Sequence, residues 1–208
     1  MRQIATLGLL VCASALALAG CTTSSTSRSG GGGGPIPAGA STDSRIVVLG
    51  ANATVPDVGI DKNNSTTVTS QTTLGVFAYQ IGPVAGQNAY LGVAGVAPSA
   101  LVGGAPTTAS ATYRGTYSLS YADRTEFNGP VSGNITLNAD FANQRLTGQS
   151  GDLSVDGRLA GQTIGGTASY RGVDADLNGR IGDVGAIGAF AGDTNDAVLV
   201  GGFSAFRN

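Results

Sequence analysis

Few residues in this 208-residue chain have types and spacings suited to chemistry, and they exclude more than they allow. His is absent, so no Ser-His-Asp or Cys-His pairing, imidazole metal ligand or neutral-pH proton shuttle of the usual kind can be assembled. Asp174, Asp176, Asn178 and Gly179 reproduce the opening of a calcium loop, with oxygen ligands at alternate positions. The twelfth position is Gly185, where such a loop needs a bidentate Glu, so calcium is not expected. Asp152 and Asp156 with Arg158, and Asp174 and Asp176 with Arg180, offer paired carboxylates of the kind used in proton transfer. They alternate with apolar neighbours, which puts them on the solvated face of strands, where tuned pKa values are uncommon. No set of nucleophile, base and orienting group is left, and the expectation is a protein that is not an enzyme and holds no metal or cofactor.

Tyr113, Tyr117 and Tyr121 share one strand face at spacing four. Together with Tyr170 they either line a cavity for haem or a small apolar ligand, or fill a core, which is the commoner use of such a stripe. With no His, a bound haem would need Tyr as its axial ligand. Gly30 to Gly34 lacks both the Lys-Ser/Thr of a phosphate-cradling loop and a preceding strand, and reads as a linker. Eleven Lys and Arg against thirteen Asp and Glu leave no positive excess for phosphates, so nucleic acid is not an expected partner.

The single Cys that matters is Cys21. Residues 1–20 form a secretory signal, with Arg2 ahead of an apolar run from Ile4 to Ala19 that is too short for a lasting membrane span. The run closes on Leu18-Ala19-Gly20-Cys21, which resembles the bacterial lipobox, and the resemblance implies cleavage before Cys21 and acylation of that residue. Cys12 leaves with the signal, so no intrachain disulfide can form. Thr22, where some inner-membrane lipoproteins carry Asp, points to export to the outer membrane, with the chain attached through its lipid. Residues 21–44 are rich in Ser, Thr and Gly and bury too little apolar surface to order themselves; as a flexible coil they give a tether with a mean reach of about 25 Å.

The elements that must position these side chains are strands. Apolar and polar residues alternate over 112–121, 131–141, 152–159, 163–171 and 173–181. A short run at Leu146-Thr147-Gly148 and two apolar stretches, 184–192 and 197–206, complete eight strands in 97 residues, the spacing of an all-β barrel or sandwich. Gly and Ala among the large apolar residues suit the taper of a small closed barrel, which also removes exposed edges. The expected fold is an eight-stranded antiparallel up-and-down β-barrel over 112–208, preceded at 45–111 by a smaller, irregular β-rich subdomain. Within that subdomain Arg45–Gly50, Thr73–Ile81 and Tyr90–Val96 read as strands, and 57–72 and 98–106 as loops.

The second half resembles the lipid-anchored β-barrel of the transferrin-binding protein B family, which includes factor H-binding proteins and haemophore-like secreted members. The residues that carry the resemblance are Ala111 to Gly115, Asn138 to Phe141 with Leu146-Thr147-Gly148, Ile164 to Gly166, Gly185 to Gly192, and Val200 to Arg207 with its Gly-Gly-Phe-x-Ala-x-Arg ending. The resemblance implies a β-rich handle ahead of the barrel and a non-catalytic binding module with a host or envelope protein as partner. One barrel is present, not two lobes, so transferrin specificity does not carry over. Two other readings share the strand pattern: a lipocalin-like carrier of a small apolar ligand or haem, and an integral outer-membrane β-barrel. Glycines 115, 133, 157, 166 and 179 on the apolar face and a final residue, Asn208, that is not aromatic speak against the latter. Partner contact is expected at the loops 122–130 and 192–196, first at Arg124, Glu126 and Phe127, where a charged pair beside a ring offers an anchor and an orienting contact.

Overall fold

The computed structural model describes residues 25–29 and 33–208, and the architecture is all-β. The signal segment, Cys21 and the linker up to residue 24 lie outside the described residues, as do residues 30–32. The strands in chain order are β1 (Ser25–Ser29), β2 (Ser41–Ile46), β3 (Thr66–Thr72), β4 (Gly75–Pro83), β5 (Ala89–Val96), β6 (Ser110–Asp123), β7 (Phe127–Asp140), β8 (Arg145–Ser150), β9 (Leu153–Ala160), β10 (Thr163–Tyr170), β11 (Val173–Ile181), β12 (Gly185–Thr194) and β13 (Ala197–Arg207). Strands β6 to β13 close into an up-and-down antiparallel barrel in which each strand pairs with the next, and β13 returns to β6 from Ala197–Asp123 to Arg207–Tyr113. The other five form a sheet in the order β1-β3-β4-β5-β2, antiparallel except for β2 on β5.

The period-two patterns set the barrel's inside and outside. On β9 and β11, Leu153, Val155, Leu159, Val173, Ala175 and Leu177 are buried, while Ser154, Asp156, Arg158, Asp174, Asp176 and Arg180 face solvent. Tyr113, Tyr117, Tyr121 and Tyr170 join these side chains with Phe190 and Phe203 to pack the lumen. The stripe of tyrosines is therefore core, and the lumen is occupied by the protein's own side chains rather than kept open for a carried ligand. An outer wall of Asp, Arg, Ser and Asn on β9 to β11 carries no apolar band, the opposite of a barrel that crosses a bilayer with its strands.

β12 and β13 depart from alternation because both of their faces are covered. Ala186, Phe190, Leu199 and Phe203 point into the barrel, while Ile187, Ala189, Ala191, Val198 and Val200 pack against Phe77, Tyr79, Ile81, Tyr90 and Ala94 of the sheet. Two glycines permit the close approach: a Cβ at Gly92 would fall 2.6 Å from the side chains of Val198 and Val200, and one at Gly202 would fall 2.4 Å from the Phe77 ring. In the same seam the Tyr79 hydroxyl and the Ser118 hydroxyl share a hydrogen bond of 2.8 Å.

The structure differs from the sequence expectation in the first half of the chain. The region expected to loop over 57–72 contains β3, whose Thr66, Val68 and Ser70 are buried under neighbouring chain, so burial overrides a composition of Thr, Ser and Gln that reads as polar loop. The segment 33–44, expected as the end of a disordered tether, is packed. Ile36 and Ala40 are buried, the Ile36 amide donates to the Asp123 carbonyl at 2.7 Å, and Ser41–Ile46 pairs with β5. Two buried apolar side chains, backbone partners and the pairing with β5 order this stretch.

Candidate functional site

Four turns meet at one end of the barrel: 124–126, 151–152, 171–172 and 195–196. This end is called upper here, and the strands leading to it run longer than expected. β7 begins at Phe127 and β12 continues to Thr194, which trims the expected loops 122–130 and 192–196 to three and two residues.

Asp123, the last residue of β6, builds the first turn. Its Oδ1 accepts the Thr125 amide at 2.7 Å, the Thr125 hydroxyl at 2.7 Å and the Glu126 amide at 2.8 Å, and its Oδ2 accepts the Tyr121 hydroxyl at 3.0 Å. Such a pattern is what a short Asp side chain offers a turn, an anchor for backbone donors two and three residues on. Desolvation works against the ionised form, but the hydrogen bonds outweigh it and bring the Asp123 pKa down to about 2. Burial, reinforced by Asp123, pushes the Tyr121 phenol up to about 12.

Arg124 fastens this turn to two others. Nε donates to Asp196 Oδ1 at 3.1 Å, Nη2 donates to the carbonyls of Ala40 and Asn195 at 2.9 Å each, and Nη1 donates to the Pro37 carbonyl. The fork geometry of a guanidinium suits this convergence of carbonyls and a carboxylate. Phe127 is half-buried against the core between sheet and barrel, and its ring lies over Gly33. Glu126 forms an ion pair with Arg171, a residue the sequence did not single out. Arg171 lies at φ +49° with Gly172 at φ +80°, a two-residue hairpin turn of left-handed residues. Its guanidinium sits 5.7 Å from the Tyr121 ring centre and 5.6 Å from that of Tyr170, and the two rings meet edge to face at 5.9 Å. Tyr121, Asp123, Arg124, Arg171, Thr194 and Asp196 line a depression of about 440 Å³ at this end.

Of the three residues chosen from sequence, Arg124 has its donors engaged inside the protein, Phe127 is packed beneath the N-terminal segment, and Glu126 stands beside Arg171 on the upper rim. The other carboxylates considered for chemistry lie apart from them: Asp152 is in the second turn, Asp156 pairs with Arg145 at 3.1 Å on the exposed wall, and Asp174 accepts from the Ser169 hydroxyl. Residues 174–179, the calcium-loop match, are strand β11 and not a loop. Among the described residues no group of three His, Cys, Asp or Glu side chains is placed to hold a metal ion.

The class defined by these features is a polar-walled, filled, eight-stranded up-and-down barrel with a five-stranded sheet on its flank. The barrel half has the fold of the transferrin-binding protein B lipoproteins. The chain is similar to a double mutant of transferrin-binding protein B from Haemophilus parasuis Hp5, at a TM-score of 0.50 and 14% identity over 71% of this chain and 36% of that one. It is also similar to isotype 1 transferrin-binding protein B from serogroup B Neisseria meningitidis, at a TM-score of 0.49 and 16% identity over 75% of this chain and 37% of that one. The chain thus spans little more than a third of the length of either, and the likeness is one of fold. No protein-family model matches the chain, and no curated protein matches it.

Proposed function

We propose that this protein is a non-catalytic outer-membrane lipoprotein, attached through acylated Cys21 after loss of residues 1–20, that binds a host or envelope protein at the upper end of its barrel. The observation that carries the reading is the construction of that end. Three of the four turns, 124–126, 171–172 and 195–196, are fixed by the protein's own hydrogen bonds and ion pairs, while the lumen behind them is filled and the wall beneath them is polar. A surface built in advance loses little conformational freedom when a partner docks, which favours association. In this reading Arg124 and Phe127 fix the platform, and Glu126 with Arg171 and the exposed turn at 195–196 meets the partner. The Haemophilus protein is named for binding transferrin; its fold supports a binding role, and the partner of this chain is left to experiment.

The test is a crosslinking pull-down from cells, using the chain from Thr22 onward so that the segment packed by Ile36 is retained. A specific protein recovered by this form, and lost with a paired Glu126→Ala and Arg171→Ala variant that still melts cooperatively, is the expected outcome. Failure to recover any specific protein, together with stoichiometric haem, iron or calcium in the purified chain, would overturn the reading in favour of a carrier. The anchor is tested separately: Cys21→Ser is expected to leave the protein unlipidated and out of the membrane fraction.

A further inference from the structure

The end of the barrel opposite the four turns, called lower here, differs from the upper end in charge and in surface. Arg114, Arg145, Arg158, Arg180 and Arg207 lie on β6, β8, β9, β11 and β13, all in the half nearer the lower end. Five strands of the eight thus contribute one cation each to a collar. Two aspartates share this half, Asp140 and Asp183; Asp156, the partner of Arg145, stands at mid-height of β9, opposite Thr167. The upper half is acidic, with Asp123, Glu126, Asp152, Asp174 and Asp196 among its residues, and its two cations, Arg124 and Arg171, are both committed to ion pairs.

The lower end also exposes apolar side chains. The chain between β5 and β6 folds across it: the Val102 carbonyl accepts the Val184 amide at 3.0 Å, and the Gly103 carbonyl accepts the Gln162 side chain at 2.8 Å. That arrangement sets Leu101 beside the Val184 turn, and the two are 71% and 50% exposed although the residue between them in the packing, Val102, is buried. Large apolar side chains this exposed are few among the described residues.

The route of the chain adds an independent observation. In the sheet, Ser25 pairs with Gln71 and Ser29 with Thr67, so β1 begins next to the turn that joins β3 to β4. Leu74 of that turn accepts the Leu101 amide at 2.6 Å through its carbonyl and lies against Gly185, which places the start of β1 on the lower side of the molecule. Cys21 precedes Ser25 by four residues, a span of at most about 14 Å.

We infer that the lower end of the barrel is a membrane-contact surface, with the arginine collar on anionic lipid headgroups and Leu101 and Val184 dipping into the interface, so that the upper turns point away from the bilayer. The inference rests on Cys21 as the anchor. Long arginine stems can reach from the wall to phosphates while keeping their charge wet, and cations close to an anionic bilayer add to the hold of a lipid chain. A domain so docked presents one end outward, where a freely tumbling one would present all sides equally.

The chain from Cys21 onward has one thiol and no Trp, which makes the test direct. The protein is coupled at Cys21 to a maleimide lipid in phosphatidylcholine vesicles, with or without about a third phosphatidylglycerol, and single tryptophans report depth through quenching by brominated acyl chains. Leu101→Trp is expected to be quenched about twofold or more on the anionic vesicles and less on the neutral ones or at high salt, while Asn195→Trp at the upper end is not quenched. Adding Arg114→Gln and Arg158→Gln is expected to relieve the quenching at position 101. Val184→Trp serves as a second reporter at the same end should Leu101→Trp lose its cooperative melt. Equal quenching at both ends, none at either, or no dependence on anionic lipid would overturn the inference. Chemical coupling makes the outcome independent of acylation in cells, which the Cys21→Ser comparison decides by itself.

Discussion

Replacing Asp123 with Asn probes the first upper turn. The carboxylate gathers four hydrogen bonds on its two oxygens, and its pKa falls from 3.8 to about 2 although desolvation pulls the other way. A carboxylate with a lowered folded-state pKa stabilises the fold above its ordinary pKa, and that contribution is lost as the pH falls through the folded value. Full linkage over this drop is worth about 2.4 kcal/mol. The group is only partly covered, so screening by water reduces the expected contribution to about 1 kcal/mol. Asn keeps one acceptor oxygen but carries no charge, and it turns its amide NH2 toward either the backbone donors or the Tyr121 hydroxyl. Asp123→Asn is therefore expected to lower stability near neutral pH by about 1 kcal/mol, or about 2–4 °C in Tm for a chain of this size. The gap between wild type and variant should narrow once the pH drops below the ordinary carboxylate value of 3.8 and close near pH 2. Denaturant melts of both proteins across that pH range provide the measurement. A gap absent at neutral pH, or one of the same size near pH 2, would refute the assignment of stability to the ionised carboxylate.

The barrel interior makes a second prediction: Leu137→Ala, Leu153→Ala and Leu177→Ala should each cost about 2–5 kcal/mol through the cavities they leave, and Asp174→Asn on the outer wall should change stability by about 0.5 kcal/mol or less. Equal small effects at all four positions in denaturant melts would contradict the inside–outside assignment. The seam makes a third. A Cβ at Gly202 would lie 2.4 Å from the Phe77 ring and 2.7 Å from the Gly188 carbonyl, so Gly202→Ala should push the sheet off the barrel at a cost of about 1–3 kcal/mol. Amide exchange in β4 should then quicken while that in β9 and β10 stays unchanged, and unaltered exchange in β4 would show that the seam tolerates the methyl group.

The parts of this fold legible in the sequence are those with one wet face. β9 and β11 alternate without a break because one side of each meets the lumen and the other meets water. β12 and β13 read only as apolar stretches, since the second face of each is covered by a sheet whose position no local pattern encodes. β3 was hidden for a related reason: Val68 joins the core between sheet and barrel and the Thr66 hydroxyl accepts the Gly33 amide, cover that comes from distant parts of the chain. At the upper end, the turn containing Arg124 and Glu126 was visible as a charged loop. What Arg124 does was not, because its carbonyl partners at Pro37 and Ala40 lie more than eighty residues away. Arg171 gave one local signal, its place between Tyr170 and a Gly in a two-residue turn, but the ring of Tyr121 beneath it comes from another strand.

The return of β13 to β6 bears on how the chain reaches this state. β6 cannot complete its pairing until Ala197–Arg207 has been made, and the sheet of the first half has no finished surface to rest on before β12 and β13 stand side by side. Contacts between segments so distant in sequence are slow to form, because long loops must be closed before any apolar surface is gained. Until β13 is made, the first barrel strand therefore has an open edge, ready to pair with another copy. Local hairpins such as β3–β4 and β9–β10 can pair early, but closure of the barrel, and with it the seat of the sheet, is expected only after the last barrel strand is released.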